Sequence, residues 1–176
     1  MRVANGESVR AWPPALSLLL ALSVLISVRR PFRGLSPSQR KRLVAIGLLA
    51  WLAQALHFTE EYVAGFWRAF PAILGLEPWS RGAFALFNVA WLLIWLPAIW
   101  AAARGHRFAE WPLWFLALAL TLNGVAHPIL SLFTEGYFPG LWTALFGGIV
   151  GAALLRGLAR VSRPPTSAPA VESGHR

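Results

Sequence analysis

The stretch LVAIGLLAWLAQALHFTEEY, residues 43–62, contains the features that decide the fold. Its first fourteen residues are apolar except for Gln54, and it then places His57, Glu60 and Glu61 within five residues of one another. Twenty residues of α-helix span about 30 Å, the thickness of the hydrocarbon core of a bilayer. The stretch therefore predicts a transmembrane helix with three titratable side chains near one end.

Four other apolar segments have a similar length and lie on either side of this stretch. They are residues 11–28, 83–103, 111–133 and 140–158. The whole chain is 57% hydrophobic and only 13% charged, with a mean hydropathy of +0.56, whereas soluble domains carry about 25% charged residues. We therefore predict an all-α integral membrane protein, a bundle of five transmembrane helices embedded in the lipid bilayer as its partner.

The basic residues indicate how the bundle is oriented. Twelve of the 16 lysine and arginine residues lie after the first, third and fifth apolar stretches or, for Arg156, at the end of the fifth. Basic loops favour the cytoplasmic side, so the N-terminus is expected outside and the C-terminus in the cytoplasm. The net charge of +9 is thus explained without nucleic acid, because no basic helix or aromatic-basic platform is present. The absence of cysteine excludes disulfides, thiolate catalysis and cysteine-ligated zinc.

The same pattern divides the chain into three parts. Residues 1–42 are expected to form an N-terminal anchor helix and a basic cytoplasmic loop, residues 43–160 the helical membrane domain, and residues 161–176 a disordered tail. The first apolar segment could also be a signal peptide. The basic residues of SVRRPFRG, at 27–34, and the lack of a small-x-small cleavage site favour a retained anchor.

Polar side chains from different predicted helices fall at one depth. His57, Glu60 and Glu61 share a helical face because they are spaced i, i+3 and i+4, and Asn123 and His127 are spaced i, i+4. In the predicted orientation both histidines lie roughly 7 Å outward of the bilayer midplane. We therefore expect these groups to converge in the outer half of the membrane.

Other residues could complete a site at this level. Asn88 is predicted at a similar depth on the third helix, and Tyr137 and Thr143 are expected to close the site from the outer side. Trp91 and Trp95 lie deeper in a helix, where they either pack or line a substrate cavity. We assign Asn88, Trp91 and Thr143 as candidate substrate-binding residues.

Two imidazoles and a carboxylate are a donor set that suits a divalent transition metal, either zinc or iron or manganese. The preferred ligands are His57, Glu61 and His127, with Glu60 as general base, although the two glutamates could exchange roles. Asn123 or Tyr137 could orient a substrate or stabilise an oxyanion. The pattern H-x-x-E-E matches no standard zinc-protease motif.

Other functions are compatible with the same residues. Without a metal, a buried glutamic acid and a neutral histidine could catalyse isomerisation or cyclisation of a lipid or isoprenoid, with Trp91 or Trp95 stabilising a carbocation. The polar groups could instead serve a transporter or receptor, or be a purely structural cluster.

Three motifs also resemble a known family. HFTEE at 57–61, NGVAH at 123–127 and YFPGLWT at 137–143 resemble the HXXEE family of small bacterial and archaeal membrane proteins. Carried over to this chain, the family's motif positions are His57, Glu60, Glu61, Asn123, His127, Tyr137, Pro139, Gly140 and Thr143. The resemblance implies a membrane enzyme that could use a metal, located in a bacterial or archaeal plasma membrane, but it brings no established activity. From the apolar surroundings, we expect a metal-dependent hydrolase of a lipid-like or amphipathic substrate.

Overall fold

The computed structural model describes residues 14–29, 31–32, 35–106 and 109–162, and these residues form α-helices and connecting turns without a strand. The helices are α1 Pro14–Arg29, α2 Pro37–Ala64, α3 Phe66–Ile73, α4 Arg81–Ala103, α5 Glu110–Phe133 and α6 Leu141–Val161. The prediction of an all-helical protein is confirmed. Most of the predicted tail, from residue 163 onward, lies outside the described residues.

Four helices have the dimensions of membrane spans. Helices α2, α4, α5 and α6 are long and apolar enough to cross a bilayer. Helix α1 contributes the shorter apolar stretch Ser17–Arg29, and residues 1–13 lie outside the described ranges. Length and composition therefore support four of the five predicted spans. The fifth span and the outside position of the N-terminus stay predictions.

Helix α2 begins six residues before the apolar stretch that predicted it. Ser36 is the N-cap, and its side chain accepts a hydrogen bond from the backbone of Gln39 while the Gln39 side chain accepts one from the backbone of Ser36. This capping box stabilises the start of the helix, and Pro37 suits the first helical position because it lacks an N–H. The basic residues 40–42, predicted as part of a loop, consequently form the early turns of α2.

Helix α3 was not predicted. Helix α2 ends at Gly65, which adopts φ +84°, a conformation that glycine reaches without steric cost. The chain then forms one eight-residue helix in which Phe66 and Phe70 stack with ring centroids 5.1 Å apart. A helix this short cannot span a bilayer, so a search for membrane-length apolar segments misses it.

The packing of α5 against α6 brings the ends of three helices together. A Cβ built on Gly124 would lie 2.6 Å from the Cα of Gly148, so the two backbones touch where both residues lack side chains, as small residues allow in membrane helices. Helix α2 packs against α6 and α4. As a result, the C-terminal part of α2 lies beside the last turns of α5 and the first turn of α6.

Candidate metal centre

The cluster at this junction is built around one carboxylate oxygen. Glu61 Oε1 lies 3.3 Å from Nε2 of His57, one turn earlier on α2, and 3.4 Å from Nε2 of His127 on α5. The three residues are 5%, 0% and 2% exposed, respectively. The two imidazole rings meet edge to face with centroids 4.7 Å apart. Of the five side chains expected to converge, His57, Glu61 and His127 therefore do so, and they come from two separate membrane helices.

Two of the distances in the cluster match the spacing of ligand atoms in a zinc site. The candidate ligand atoms of His57, Glu61 and His127 all lie within 4.8 Å of one another. Two atoms that each bind a tetrahedral zinc ion at about 2.0–2.1 Å lie about 3.3–3.4 Å apart. Both separations from Glu61 Oε1 have this value, and the remaining separation is no greater than 4.8 Å, so the group could hold one metal ion.

Two nitrogen atoms in the cluster lack hydrogen-bond partners. Among the described residues, His57 Nε2 and His127 Nδ1 are buried side-chain atoms with no hydrogen bond. A buried polar atom of this kind is costly to leave unpaired. The Nε2 atom of His57 faces the carboxylate of Glu61 at 3.3 Å without making a hydrogen bond of acceptable geometry, so either a proton or a metal ion could lie between these two atoms.

Gly140 closes the cluster with its backbone. A Cβ at this position would lie 2.7 Å from Cε1 of His127, 2.9 Å from Cε1 of His57 and 2.9 Å from Cγ of Glu61. Its φ of +93° also lies in the region that favours glycine. Space and backbone conformation thus each require glycine at the N-cap of α6.

Glu60 has a different environment from its neighbour Glu61. Its Oε1 accepts hydrogen bonds from the Tyr137 hydroxyl at 2.7 Å and from the Trp142 backbone at 3.3 Å. Its Oε2 accepts from the backbone of Thr143 at 2.8 Å and from the Thr143 hydroxyl. Glu60 therefore caps the second and third residues of α6 from outside that helix, a favourable place for a carboxylate.

Thr143 lies between the candidate metal ligand His57 and Glu60. Its hydroxyl oxygen lies 3.1 Å from Nδ1 of His57 and contacts Glu60 on the other side. Tyr137 is half exposed, and its partial burial and its hydrogen bond to Glu60 raise its pKa to about 12. The phenol consequently stays protonated and able to donate at physiological pH.

Among the described residues, the remaining predicted site residues make no hydrogen bond to the three candidate ligands. Asn88 is buried and Asn123 is partly buried. Within the described part of the chain, neither amide hydrogen-bonds to the cluster. Trp91 packs in an aromatic group, with its ring 5.3 Å from Trp95 and 4.5 Å from Phe115. Roles for Asn88, Asn123 and Trp91 in substrate binding or catalysis stay predictions.

Two aromatic residues that the sequence did not single out form a wall beside the cluster. The ring of Phe66 lies 5.7 Å from that of His127, and the ring of Phe138 lies 5.8 Å from it. Phe66 belongs to the unpredicted helix α3, so only recognition of that short amphipathic helix could have indicated it. Phe138 lies inside the YFPGLWT motif, but the sequence alone did not indicate that its side chain is buried.

A separate groove lies far from these residues. It has a volume of about 500 Å³ and is lined by Ile26, Trp114, Leu155, Arg156 and Ala159. On α5 and α6 these residues are about thirteen positions from His127 and Thr143, or roughly 20 Å along the helix axes. The groove therefore belongs to the opposite end of the bundle.

Comparison with known proteins identifies the family. A family model described as a protein of unknown function with HXXEE motif matches residues 48–154, more than half of the chain. The chain belongs to the HXXEE family. No curated protein and no solved structure matches it. The family match confirms the resemblance seen in the motifs, and it contains all three candidate ligands. In this HXXEE protein, the histidine and the second glutamate of the defining motif join the cluster while the first glutamate caps α6.

Proposed function

We propose that this protein binds one divalent transition metal ion through His57 Nε2, His127 Nε2 and the carboxylate of Glu61. The observation that supports this most strongly is the position of Glu61 Oε1, within 3.4 Å of both imidazole nitrogens in a buried setting. A carboxylate removed from water needs a cation or proton nearby, since an unpaired buried charge costs several kcal/mol. A metal ion would satisfy all three groups together.

The donor set favours zinc, with iron or manganese as alternatives. Two imidazoles and one carboxylate are ligands of catalytic zinc sites and of non-haem iron sites. Three protein ligands leave a coordination position open for water or substrate. The lack of cysteine in the chain makes a purely structural zinc site of the common thiolate type impossible.

We propose further that the protein uses this metal ion as a membrane-embedded hydrolase. A bound ion would supply Lewis acidity and would lower the pKa of a bound water. Tyr137 is the first residue of the YFPGLWT segment. Its phenol stays protonated, so it could donate a proton or a hydrogen bond. For Glu60 to act as general base, it would have to release one of its four donors, and movement of the exposed Tyr137 is the change that disturbs the fewest backbone contacts.

The surroundings support a lipid-like or amphipathic substrate. Leu132 and Phe133, in the last turn of α5, are 80% and 78% exposed, and Phe66 and Phe138 line the cluster itself. Such apolar surface is expected to face lipid. In the proposed topology, with the N-terminus outside, the cluster lies in the outer half of a bacterial or archaeal plasma membrane, within reach of lipid headgroups.

Metal analysis of the full chain purified in detergent tests the proposal. We expect near-stoichiometric zinc, iron or manganese in the wild type and its loss in His57→Gln and His127→Gln. The matched control is His106→Gln, because His106 is exposed and lies outside the cluster. A folded wild type that stays metal-free after incubation with each of these ions would overturn the metal proposal.

The position of Glu61 Oε1 is also compatible with a metal-free function. Because Glu61 Oε1 is close to both imidazoles, one proton could occupy the position that we assign to a metal. The protein would then act as an acid–base isomerase or cyclase of a lipid or isoprenoid. A metal-free protein whose function in cells still requires both histidines would support this alternative.

A further inference from the structure

We propose that Thr143 and Glu60 are positioning residues that hold the proton of the His57 ring on Nδ1 and so leave Nε2 free to bind the metal. This inference deepens the metal function proposed above, and its consequence for metal affinity rests on that function. The statement about the His57 proton can be tested without any metal. It assigns to the first glutamate of the HXXEE motif and to Thr143 a task distinct from base catalysis and substrate binding.

Glu60 acts only as a hydrogen-bond acceptor. Its two oxygens receive one backbone N–H from Trp142, one backbone N–H from Thr143, and the hydroxyls of Tyr137 and Thr143. Two of these four donors are backbone amides that cannot reverse their direction. An ionised carboxylate accepts at both oxygens, so this set of partners favours a Glu60 without a proton.

The hydroxyl proton of Thr143 is therefore directed away from His57. Besides Nδ1 of His57, the oxygen of Thr143 has two polar neighbours, Glu60 Oε2 and the carbonyl oxygen of Gly140 at 3.4 Å. Both are acceptors, and a hydroxyl has only one proton to donate. The lone pair of Thr143 Oγ1 is left to face Nδ1 of His57 at 3.1 Å. A hydrogen bond at this contact requires the proton to be on the ring nitrogen.

The other nitrogen of the ring then carries a lone pair when the ring is neutral. Nε2 of His57 lies 3.3 Å from Glu61 Oε1 but makes no hydrogen bond. Two acceptors facing each other at this distance attract a cation. Metal-binding histidines commonly donate their second N–H to an oxygen, which fixes the tautomer and orients the ring. Thr143 supplies that oxygen here, and Glu60 determines which way the Thr143 proton points.

His127 differs from His57 in this respect. Its Nδ1 is buried and has no hydrogen-bond partner among the described residues, and its Nε2 lies 3.4 Å from Glu61 Oε1, so no protein group holds a proton on Nδ1. We therefore expect the two histidines to behave differently, with a proton held on Nδ1 in His57 alone. This asymmetry provides an internal control in the same molecule.

The experiment is nitrogen NMR of metal-free full-length protein labelled at its four histidines, recorded at pH values from about 7 to 10, above the ordinary histidine pKa of about 6.5. His57→Gln and His127→Gln assign the two buried rings. We expect the neutral His57 ring to carry its proton on Nδ1. In Thr143→Val, which removes the acceptor but keeps a similar shape, that preference should be lost, and Thr143→Ser should restore it.

Metal affinity gives a second readout. Loss of an outer partner of a metal-binding histidine typically weakens binding about 10- to 100-fold, so we expect this loss in Thr143→Val and near wild-type affinity in Thr143→Ser. Both variants should match the wild type in helical circular dichroism, because Glu60 keeps its other three donors. The serine variant separates loss of the hydroxyl from general damage to the fold.

Three results would overturn the inference: a neutral His57 ring with its proton on Nε2, a ring that carries both protons over the whole pH range, or a proton position unchanged in Thr143→Val. These outcomes are separable from failure of the proposed function. Protein that binds no metal but keeps the Nδ1 proton rejects the metal site and retains the positioning role. Protein that binds metal while the neutral His57 ring carries its proton on Nε2 retains the metal site and rejects the positioning role.

Discussion

Glu61 reaches from α2 across to α5, where its Oε1 lies 3.4 Å from Nε2 of His127. Glu60, the preceding residue, points instead to the first turn of α6 and accepts hydrogen bonds there. Adjacent residues on an α-helix are rotated by about 100°, so two neighbouring carboxylates can contact two different helices. In this protein the rotation separates a candidate metal ligand from a residue that anchors α6.

Exchanging each carboxylate for an amide should distinguish these two roles. Glu61→Gln should weaken metal binding by more than about 100-fold, because even outer partners of metal ligands contribute about 10- to 100-fold. Glu60→Gln should weaken metal binding less, but it should lower the free energy of unfolding by about 1–3 kcal/mol, since an amide nitrogen replaces an acceptor that is needed at α6. Metal titration and thermal unfolding in detergent measure the two effects. Larger metal loss in Glu60→Gln than in Glu61→Gln would contradict the assignment.

Gly140→Ala should disrupt the cluster directly. The added methyl group would overlap with His57, His127 and Glu61, and the left-handed backbone adds a cost of about 1–2 kcal/mol. We expect lower stability together with loss of metal binding. Gly75→Ala is the matched control, because Gly75 has φ +66° but nothing within 4 Å of its built Cβ.

The control separates backbone strain from steric overlap. Gly75→Ala should lower the free energy of unfolding by a similar amount, because alanine is strained in this left-handed backbone conformation. It should bind metal as the wild type does. If Gly140→Ala also bound metal normally, the three side chains could not occupy the positions described here, and the metal site would have to be placed elsewhere.

The sequence predicted the parts of this protein that depend on periodicity. Apolar segments of membrane length located α2, α4, α5 and α6, and the i, i+4 spacing of His57 and Glu61 placed both on one face. The predicted depth of His127 in its helix then placed it at the same level. Each of these inferences uses only the helical repeat and the thickness of a bilayer, so a single sequence is sufficient for them.

The parts that were missed depend on contacts between helices. Whether Glu60 or Glu61 faces His127 is decided by where α5 and α6 lie around α2, because both glutamates are within about one turn of His57. The close approach of Gly140 to three side chains needs the position of the loop before α6. The short helix α3 depends on the turn at Gly65, which adopts a left-handed conformation. None of these features has a periodic signal in the sequence.

The predicted orientation can be tested by labelling single cysteines. The chain has no cysteine of its own, so one introduced thiol reports one position without background. Ser38 and Gly136 are both exposed and lie near opposite ends of the bundle. In spheroplasts that express the full chain, an impermeant maleimide should label Gly136→Cys, and Ser38→Cys should react only after the membrane is permeabilised. The reverse pattern would place the cluster in the inner half of the membrane.

Titration of Tyr137 tests the hydrogen bonding around Glu60. Its raised pKa, about 12, compares with about 10 for an unperturbed tyrosine, because burial and the neighbouring carboxylate disfavour the phenolate. The folded state therefore keeps this proton at a pH where the unfolded chain loses it, so the stabilising effect is complete below pH about 10 and disappears as the pH rises toward about 12. The chain has only two tyrosines, so Tyr62→Phe leaves Tyr137 as the single phenol to follow by tyrosinate absorbance. We expect its midpoint near the raised value and a fall toward the ordinary value in Tyr62→Phe combined with Glu60→Gln. A midpoint near 10 with Glu60 intact would show that the phenol does not donate to this carboxylate, and Glu60 would then have a free position in which to act as a base.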